Sequence, residues 1–301
     1  MKIAITGSSG LIGSALLPAL RADGHTVIRL VRRPPGAADE VRWDPARREL
    51  DPAALAGVDA VVNLAGVGIG DKRWTPERKR ALRDSRVEAT ETVSEAIAAA
   101  ERPPRTLLSA SAIGWYGDTG AAPMDESGPA GQGFLADLCR RWEAATGSAQ
   151  RAGVRVAHLR TGLVCGGRGG LLGRLVPLVR LGLGSPLASG RQYWSWISLA
   201  DEVGAIRHVL ARDEIAGPVN LTGPEPVTNR EFTRTLGRVL HRPTVLPPVP
   251  RVALRLAIGG FADEGIAAGQ RVLPRVLQQT GYRFEHDTAE QALRWATDRQ
   301  G

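Results

Sequence analysis

The chain has little cysteine, few aromatic residues and no long hydrophobic run. Its 301 residues include 2 cysteines, Cys139 and Cys165, whose spacing fits neither a metal site nor a disulfide scaffold. We expect two small apolar side chains in a reducing cytoplasm, with a single bridge between them left open. No run reaches the ~18 apolar residues of a membrane span, and no cleavable leader is apparent at the start. Because 43% of the residues are hydrophobic, we expect a globular cytoplasmic protein and neither disorder nor a coiled coil.

Lysine is nearly absent, although the chain is basic. Only 3 of its 39 lysine and arginine residues are lysine, at positions 2, 72 and 79, and the formal net charge is +8. A nucleic-acid surface should cluster its cations and interleave them with aromatic residues. Here the arginines are spread over the chain and only 5% of the residues are aromatic. We therefore interpret most of the basic excess as compositional background, and nucleic acid is the weakest partner hypothesis.

Short apolar runs alternate with segments of helical periodicity over the first 160 residues. Such alternation predicts a parallel sheet with helices on both faces, since parallel neighbours need right-handed crossovers. The predicted fold class is therefore α/β, with a doubly wound parallel sheet. The predicted strands are Lys2–Thr6, His25–Arg32, Ala60–Ala65, Arg105–Ala110 and Arg155–Arg160, and the predicted helices are Leu11–Ala22, Thr75–Ala100 and Gly133–Gln150.

The pattern changes after Arg160. Residues 166–190 are rich in glycine and proline and predict loops, whereas the chain after residue 223 is mostly helical with proline interruptions. Between these regions, Trp194–Ser198, Ala200–Ala211 and Pro218–Thr222 are expected to add a strand, a helix and a strand to the same sheet. The predicted sheet domain comprises residues 1–165 with about 194–222. The predicted smaller, mostly helical lobe comprises about 166–193 with 223–301.

A glycine run joins the first predicted strand to the first predicted helix. Gly7 permits a tight turn, Gly10 lets backbone N–H groups approach a pyrophosphate, and Gly13 lets the helix pack closely on the sheet. A purely structural turn is the alternative, but strand, glycines and helix come in the order of a dinucleotide-binding Rossmann fold. The predicted cofactor-binding residues of this segment are Gly7, Ser9, Gly10, Leu11, Ile12 and Gly13.

The end of the second predicted strand indicates which dinucleotide is bound. An NAD site would place Asp or Glu there to bind the ribose hydroxyls, but this sequence has Arg32 and Arg33. A guanidinium suits a 2′-phosphate as a charge partner and can stack on adenine. We therefore predict NADP(H), with Arg32 and Arg33 as its ligands. The alternative is that both are surface arginines in an arginine-rich chain.

Two further strand ends carry small or hydroxyl residues. The turn from Asn63 through Leu64 and Ala65 to Gly66 could line the cofactor, because open α/β sheets bind ligands outside their strand ends. Ser109 and Ser111 end the next strand, and Tyr116 follows closely. We predict Ser109 at the cofactor, and hydroxyls near a substrate oxygen at the other two. An anchoring tyrosine in a turn is the alternative.

These motifs together resemble the short-chain dehydrogenase/reductase superfamily, in its extended NAD-dependent epimerase/dehydratase branch. The sequence is similar over essentially its whole length to an atypical group, the epimerase family proteins. The resemblance implies NADP(H) binding, a Rossmann fold and a short helical C-terminal domain, and it implies little about the reaction. The segments that carry it include Arg73–Thr75, Ser85–Val87 with Thr90, Ser109–Gly114, Phe134–Ala136 with Trp142–Glu143, Ser195–Ile197, Gly217–Asn220, Gly269–Pro274 and Gly281–Phe284.

The sequence departs from the superfamily at its catalytic pair. The superfamily uses a Tyr whose pKa is lowered by a Lys four residues later. Alignment on Glu143 puts Leu135 at the Tyr position and Cys139 at the Lys position, and Arg86 replaces the usual Asn of the long helix. None of the three tyrosines has a lysine at i+4. The chain is thus either a reductase or epimerase with other catalytic groups, or a non-catalytic NADP(H)-dependent sensor that acts through a protein partner.

If the chain is an enzyme, we predict Ser111 and Tyr116 as catalytic hydroxyls near the nicotinamide. Lys79 and Arg86 could lower a pKa or bind an anionic substrate, with a salt bridge or a helix-end contact as the alternative for Arg86. A small-molecule substrate pocket would be closed from the second lobe, unless those residues are only core packing. No metal site is predicted, and a homodimer stays open. The residues proposed to close the pocket are Gln192, Trp194 and Trp196.

Overall fold

A seven-stranded parallel sheet forms the centre of the computed structural model, which describes residues 1–167 and 169–298. The strand order is β11-β7-β5-β4-β1-β2-β3, so the doubly wound α/β prediction is confirmed. The strands are β1 (Lys2–Thr6), β2 (Thr26–Val31), β3 (Glu40–Arg42), β4 (Ala60–Asn63), β5 (Thr106–Ala112), β6 (Pro123–Met124), β7 (Arg155–Thr161), β8 (Leu163–Cys165), β9 (Tyr193–Trp194), β10 (Trp196–Ser198), β11 (Gly217–Leu221), β12 (Val227–Thr228) and β13 (Arg271–Val272).

Helices cover both faces of this sheet. One face packs against α1 and α6 through residues such as Ile5, Leu16 and Ile206, and the other packs against α2 and α4 through residues such as Val61 and Val93. The helices are α1 (Leu11–Ala22), α2 (Pro76–Ala99), α3 (Phe134–Ala144), α4 (Gly147–Arg151), α5 (Leu172–Arg180), α6 (Leu199–Leu210), α7 (Asn229–Val239), α8 (Arg251–Ile258), α9 (Arg275–Gln279) and α10 (Ala289–Asp298), with a π-helical turn at Ala262–Ile266. Within the described residues, no helix is long and apolar enough to cross a membrane.

A further apolar core lies outside the main sheet. Trp194, Trp196 and Phe232 pack there with Leu236 and Leu293, so segments on both sides of β11 meet in one cluster. The predicted ranges of the two domains also include residues 168 and 299–301, which lie outside the described residues.

The prediction that Trp194–Ser198 adds a strand to the main sheet is wrong. The segment forms two short strands, of which β9 pairs with β12 and β10 pairs with β8. The chain leaves the main sheet at Gly162, whose N–H donates to Leu221 O at 2.9 Å, while the next N–H donates to Ser195 O at 2.8 Å. β11, by contrast, joins the sheet beside β7 as predicted.

Two other predicted boundaries need correction. The helix predicted over Gly133–Gln150 breaks into α3 and α4, because Thr146 Oγ1 donates to Glu143 O at 2.7 Å and Ala149 N donates to Ser94 Oγ at 2.8 Å. The loop predicted over residues 166–190 contains α5, whose Val176 and Val179 pack in the second core. Strand β3 was not predicted, since three residues carry too little periodicity.

Candidate cofactor and substrate site

The glycine turn after β1 needs glycine at two positions for reasons of space. Gly7 has a φ of 65°, and a Cβ there would lie 2.7 Å from Leu64 O. A Cβ on Gly13 would lie 2.2 Å from Gly7 O. Gly10 is the N-cap of α1 and offers no side-chain cap, and the first turn holds no acidic residue. The N-terminal N–H groups of α1 are therefore free to bind an anion, as a dinucleotide pyrophosphate requires.

The other residues predicted in this segment line the same turn. Ser9 is exposed, whereas Leu11 and Ile12 are half-buried. A Cβ on Gly166 or Gly170 would lie 3.0 or 3.4 Å from the side chain of Leu11. The glycine-rich segment after β8 therefore passes against the start of α1.

The turn after β4 is fixed by buried hydrogen bonds among Thr6, Asn63 and Thr90. Thr6 Oγ1 donates to Asn63 Oδ1 at 2.7 Å and accepts from the N–H groups of Leu64 and Ala65 at 3.0 and 3.1 Å. Asn63 Nδ2 in turn donates to Thr90 Oγ1 at 2.9 Å. Asn63, which is fully buried, thus helps to position the turn through Thr6. Its contact with a cofactor stays a prediction.

Gly66 and Ser109 have different surroundings. Gly66 is exposed and lies against the Arg86 side chain, since a Cβ there would be 3.3 Å from Arg86 Cζ. Ser109 is fully buried opposite Asn63, and its Oγ has no hydrogen-bond partner. Ser109 as a cofactor ligand also stays a prediction.

Arg32 and Arg33 follow β2 beside the glycine turn, because Leu30 is opposite Thr6 in the parallel pair. Arg33 donates two hydrogen bonds to Glu40, at 2.8 and 2.5 Å. Arg32 is exposed and makes no hydrogen bond or ion pair with any described residue. The structure therefore separates two residues that the sequence treated alike, since Arg33 fixes the loop to β3 and Arg32 has a free guanidinium.

Ser111 and Tyr116, the predicted catalytic hydroxyls, belong to one buried network. Ser111 Oγ donates to Glu143 Oε1 at 2.7 Å, and Arg160 donates to both oxygens of Glu143 at 2.9 and 3.0 Å. Arg160 Nη1 also donates to the Tyr116 hydroxyl at 3.0 Å, and that hydroxyl donates to Asn220 Oδ1 at 2.7 Å. Ser111, Tyr116 and Arg160 are each 3% exposed, so the network is closed to solvent.

The electrostatics of this network do not activate the phenol. Burial raises the pKa of Tyr116, and the nearby Arg160 offsets this only in part. A proton acceptor near neutral pH would need the opposite direction. His158, beside the network, has its pKa lowered by burial and lies 3.0 Å from Thr146 Oγ1. Sequence reasoning missed the roles of Glu143 and Arg160, although a charged residue inside an apolar central strand was a usable signal.

The positions aligned with the superfamily's Tyr and Lys hold no proton carrier. Cys139 is buried, and burial raises the pKa of its thiol to about 12, so it is not a thiolate at neutral pH. The backbone N–H of Leu135 donates to Glu264 Oε2 at 2.8 Å. Glu264 belongs to the π-helical turn of the C-terminal region, which thereby contacts the start of α3. Sequence reasoning missed this contact, which joins residues 129 positions apart.

Arg86 is buried on the inner side of α2. Its two Nη atoms donate to Leu82 O and Val67 O, both at 3.0 Å, and its Cζ lies 5.0 Å from the centre of the Trp142 ring. The salt bridge considered from the sequence is absent, because no carboxylate of the described residues lies within 4.0 Å. Burial lowers the pKa of Arg86 to about 10, so the guanidinium stays charged at neutral pH.

Lys79 lies two helical turns before Arg86 and is half-buried. Its Nζ is 5.4 Å from the centre of the Trp74 ring and 4.9 Å from that of Phe134. Phe261 of the C-terminal region packs on Trp74 with ring centres 5.3 Å apart. Lys79 and Arg86 thus lie on one face of α2, and their contact with a substrate stays a prediction.

Gln192, Trp194 and Trp196 are buried, and their side-chain N–H groups donate to backbone carbonyls. Gln192 Nε2 and Trp194 Nε1 both donate to Ile266 O at 3.2 Å, and Trp196 Nε1 donates to Glu225 O at 2.9 Å. These contacts are those of core packing, the alternative weighed for the tryptophans. A substrate contact from these residues stays a prediction. No group of three or more metal-ligating side chains occurs among the described residues.

Two family models match separate parts of this chain. Residues 3–221 match the model of the NAD dependent epimerase/dehydratase family, and residues 249–296 match a domain of unknown function, DUF1731. The chain belongs to the epimerase/dehydratase family. Within it, an epimerase family protein of Mycobacterium tuberculosis is 54% identical over 299 residues, which cover 99% of this chain and 98% of the relative. The human epimerase family protein SDR39U1 is 34% identical over 299 residues, covering 98% and 99%.

Solved structures of this family agree with the fold. The crystal structure of human SDR39U1 (isoform 2) with NADPH has a TM-score of 0.87 and 31% identity, and the match covers 99% of both chains. A nucleoside-diphosphate sugar epimerase from Corynebacterium glutamicum has a TM-score of 0.81 and 33% identity, covering 99% of this chain and 58% of that one. The chain is thus an atypical extended short-chain dehydrogenase/reductase of the epimerase family type, as its motifs indicated.

Proposed function

We propose that this epimerase family protein binds NADP(H) at the glycine turn and acts in the cytoplasm as a reductase or epimerase on a small molecule. The observation that carries the proposal is the uncapped start of α1, where glycine is needed at positions 7 and 13 and the N–H groups are open. The human relative with NADPH supports the choice of cofactor. Two buried free cysteines are consistent with a reducing compartment.

The contacts around the loop after β2 favour a cofactor with a 2′-phosphate, which is NADP(H), over NAD. An NAD site needs a free carboxylate for the ribose hydroxyls. Two carboxylates lie at the end of this loop, and both are already bound. Asp39 accepts from Arg29 at 2.8 and 2.7 Å, and Glu40 is bound by Arg33, by Arg29 at 2.9 Å and by Gly36 N at 2.7 Å. Arg32 has no such partner among the described residues. We therefore assign the 2′-phosphate to Arg32, with Arg33 holding the loop in place.

The bound nicotinamide would supply hydride transfer. The chain's own contribution is to position the cofactor on α1 and on the turn after β4, and to hold a substrate at the same carboxyl edge of the sheet. Ser111 and Tyr116 are committed to Glu143, Arg160 and Asn220, so their catalytic role requires this network to open.

A non-catalytic sensor is the second candidate function. It is favoured by the lack of a proton carrier at Leu135 and Cys139 and by the closed network around Arg160. In this case the cofactor would regulate binding of a protein partner. The two functions share the cofactor site and differ in whether the nicotinamide reacts.

The cofactor assignment is tested by dissociation constants for NADPH and NADH, measured by quenching of tryptophan fluorescence. We expect NADPH to bind at least about tenfold more tightly, which corresponds to about 1.4 kcal/mol. Arg32→Ala should remove most of this preference and leave NADH unchanged, whereas Arg47→Ala, which removes an exposed arginine paired with Glu49, should change neither constant. Equal or tighter binding of NADH by the unmodified protein would overturn the assignment.

A second measurement separates the enzyme from the sensor. The NADPH-bound protein is incubated with a panel of carbonyl compounds and NADPH oxidation is followed. The NADP⁺-bound protein is incubated with a panel of nucleotide sugars and sugar epimerisation is followed. Turnover by any compound supports the enzyme. The sensor predicts no turnover over the whole panel together with a protein partner that is retained with NADPH and released without it.

A further inference from the structure

The start of α2 carries cations where a helix favours acids. Arg78 and Lys79 lie in the first turn and neither has an acidic partner among the described residues, whereas Arg80 pairs with Glu77 at 3.3 Å. The positive end of a helix dipole disfavours cations at this position. Thr75 already caps the helix by accepting from Arg78 N at 3.2 Å. Helix stability therefore does not account for these charges.

The Lys79 ammonium contacts aromatic rings and no carboxylate of the described residues. Its ammonium contacts the Trp74 and Phe134 rings, and Trp74 is fixed by its Nε1, which donates to Ile69 O at 2.9 Å. Cation–π contacts leave the charge of the ammonium uncompensated. The nearby Glu264 carboxylate is engaged by Leu135 N at 2.8 Å and makes no ion pair with Lys79 within 4.0 Å. Lys79 is thus a half-buried cation without a counter-charge.

Arg86 adds a second such cation on the same helix face. It is only 8% exposed, and its hydrogen-bond acceptors are two backbone carbonyls. Burying a guanidinium without an anion is costly, and a bound anion would offset that cost. Lys79 and Arg86 are seven residues apart, about 10.5 Å along the axis, a separation that two long side chains can close. Gly66, at the cofactor edge, lies directly against Arg86.

We propose that the substrate of this protein carries an anionic group, a carboxylate or a phosphate, that binds between Lys79 and Arg86 against the Trp74 and Phe134 rings. This inference rests on the proposed function, since it names the substrate class of the same site. The rings would cover the apolar part of the substrate, and the cations would hold its charged end beside the turn after β4.

The scarcity of lysine makes the site directly observable. Reductive methylation with ¹³C-formaldehyde labels Lys2, Lys72 and Lys79 and the terminal amine, so the lysines contribute three NMR signals at most. The Lys79 signal is assigned by its loss in Lys79→Arg. The NADPH-saturated protein is then titrated with inorganic phosphate, with malonate and with chloride at matched ionic strength. We expect a saturable shift at Lys79 with phosphate or malonate, and no comparable shift with chloride or at Lys72.

Two variants at Arg86 test its share in the site. Arg86→Gln should weaken the binding of the effective anion at least about tenfold, whereas Arg80→Gln on the same helix should change it less than about twofold. Arg86→Lys keeps the charge and adds a fourth lysine signal, which should shift together with that of Lys79. This variant also keeps the test open if Arg86→Gln does not fold.

The outcomes separate this inference from the proposed function. If Lys79 responds equally to chloride, or moves no more than Lys72, the anion site is overturned. If NADPH itself shifts Lys79 and abolishes the response to both phosphate and malonate, the cations serve the cofactor and the inference also fails. NADPH affinity measured on the same samples reports on the cofactor proposal alone. The response to phosphate against malonate tells which anionic group the site prefers.

Discussion

The two halves of the sheet's carboxyl edge treat polar groups in opposite ways. At β1 and β2, the first backbone N–H groups of α1 and the Arg32 guanidinium have no protein partner among the described residues. At β5 and β7, Ser111, Tyr116 and Arg160 bind one another and their neighbours in a solvent-free network. Both halves carry residues that the sequence marks as functional. The difference is that the first half has hydrogen-bonding capacity left for a ligand, whereas Ser111, Tyr116 and Arg160 in the second half use theirs within the protein.

This contrast is informative because the second half contains the hydroxyl groups expected to react. A serine and a tyrosine at a strand end favour catalysis as a pattern, but their availability depends on what lies behind them. Here Glu143 and Arg160 form an ion pair with both side chains under 10% exposed. Their hydrogen bonds fix the two hydroxyls as parts of the core.

We expect the largest effect from a substitution that disrupts the buried network at β5 and β7. Glu143→Ala leaves the Arg160 guanidinium buried without its carboxylate, which should lower the free energy of unfolding by about 3 to 5 kcal/mol. Asp137→Ala is the control on the same helix, because its exposed ion pair with Arg141 should contribute less than about 1 kcal/mol. Urea unfolding of both variants measures the difference. Similar losses in the two would show that the network is not a structural centre.

A somewhat smaller effect is expected at the glycine turn after β1. In Gly13→Ala the added Cβ would meet Gly7 O at 2.2 Å, which forces the glycine turn away from α1. NADPH affinity should fall at least about 100-fold, equivalent to about 2.7 kcal/mol. Gly173→Ala, where no heavy atom lies within 4 Å of the new Cβ, should bind normally. Titration of NADPH into each folded variant decides the matter, and unchanged affinity in Gly13→Ala would remove the turn from the cofactor site.

An effect of intermediate size is expected at Glu202, because its carboxyl group is buried and only one of its two oxygens has a hydrogen-bond partner among the described residues. Its Oε1 accepts from Thr161 Oγ1 at 2.8 Å, its Oε2 has no partner among the described residues, and burial raises its pKa from 4.5 to about 8. The folded protein therefore keeps a proton that the unfolded chain loses, so stability should decrease as pH rises from about 5 to 8. Glu202→Gln should reduce this loss by an amount on the order of 2 kcal/mol. Urea midpoints at pH 5 and pH 8 provide the measurement, and parallel pH dependence in both proteins would contradict it.

The smallest effect is expected from removal of one hydroxyl group from the buried network at β5 and β7. Tyr116→Phe removes the donor to Asn220 and the acceptor for Arg160, at an expected cost of about 1 to 2 kcal/mol in unfolding free energy. The NADPH dissociation constant should not change, because the hydroxyl is bonded within the core. Thermal unfolding and NADPH titration are measured together. Weaker NADPH binding at unchanged stability would instead place Tyr116 at the ligand.

Sequence alone predicted what neighbouring residues determine. The bounds of β1 and α1 are those predicted, since an apolar run, a glycine turn and a helical period follow within 22 residues. The glycines at positions 7 and 13 were predicted from the same short pattern, although the Leu64 carbonyl that excludes a side chain at Gly7 is distant in the sequence. The bounds of α2 also match the predicted helix to within one residue at each end.

What sequence could not predict depends on distant partners. Trp194–Ser198 has strand composition, but whether it joins the main sheet is decided by Gly162, where the chain diverges from β11. Arg32 and Arg33 are adjacent and alike, and only the position of Glu40 on β3 separates their roles. Likewise the pairing of Glu143 with Arg160 joins a helix to a strand across the core.

The order of strands in the sheet has a consequence for synthesis of the chain. β11 completes the sheet beside β7, yet it follows β7 only after β8, α5 and α6 have been made. While the chain emerges from the ribosome, β7 is therefore an edge strand with unpaired N–H and C=O groups until residue 221 is available. Exposed edges of this kind promote pairing between chains. The nascent protein is thus most vulnerable to aggregation during the interval in which the ribosome adds the roughly 50 residues between these two strands.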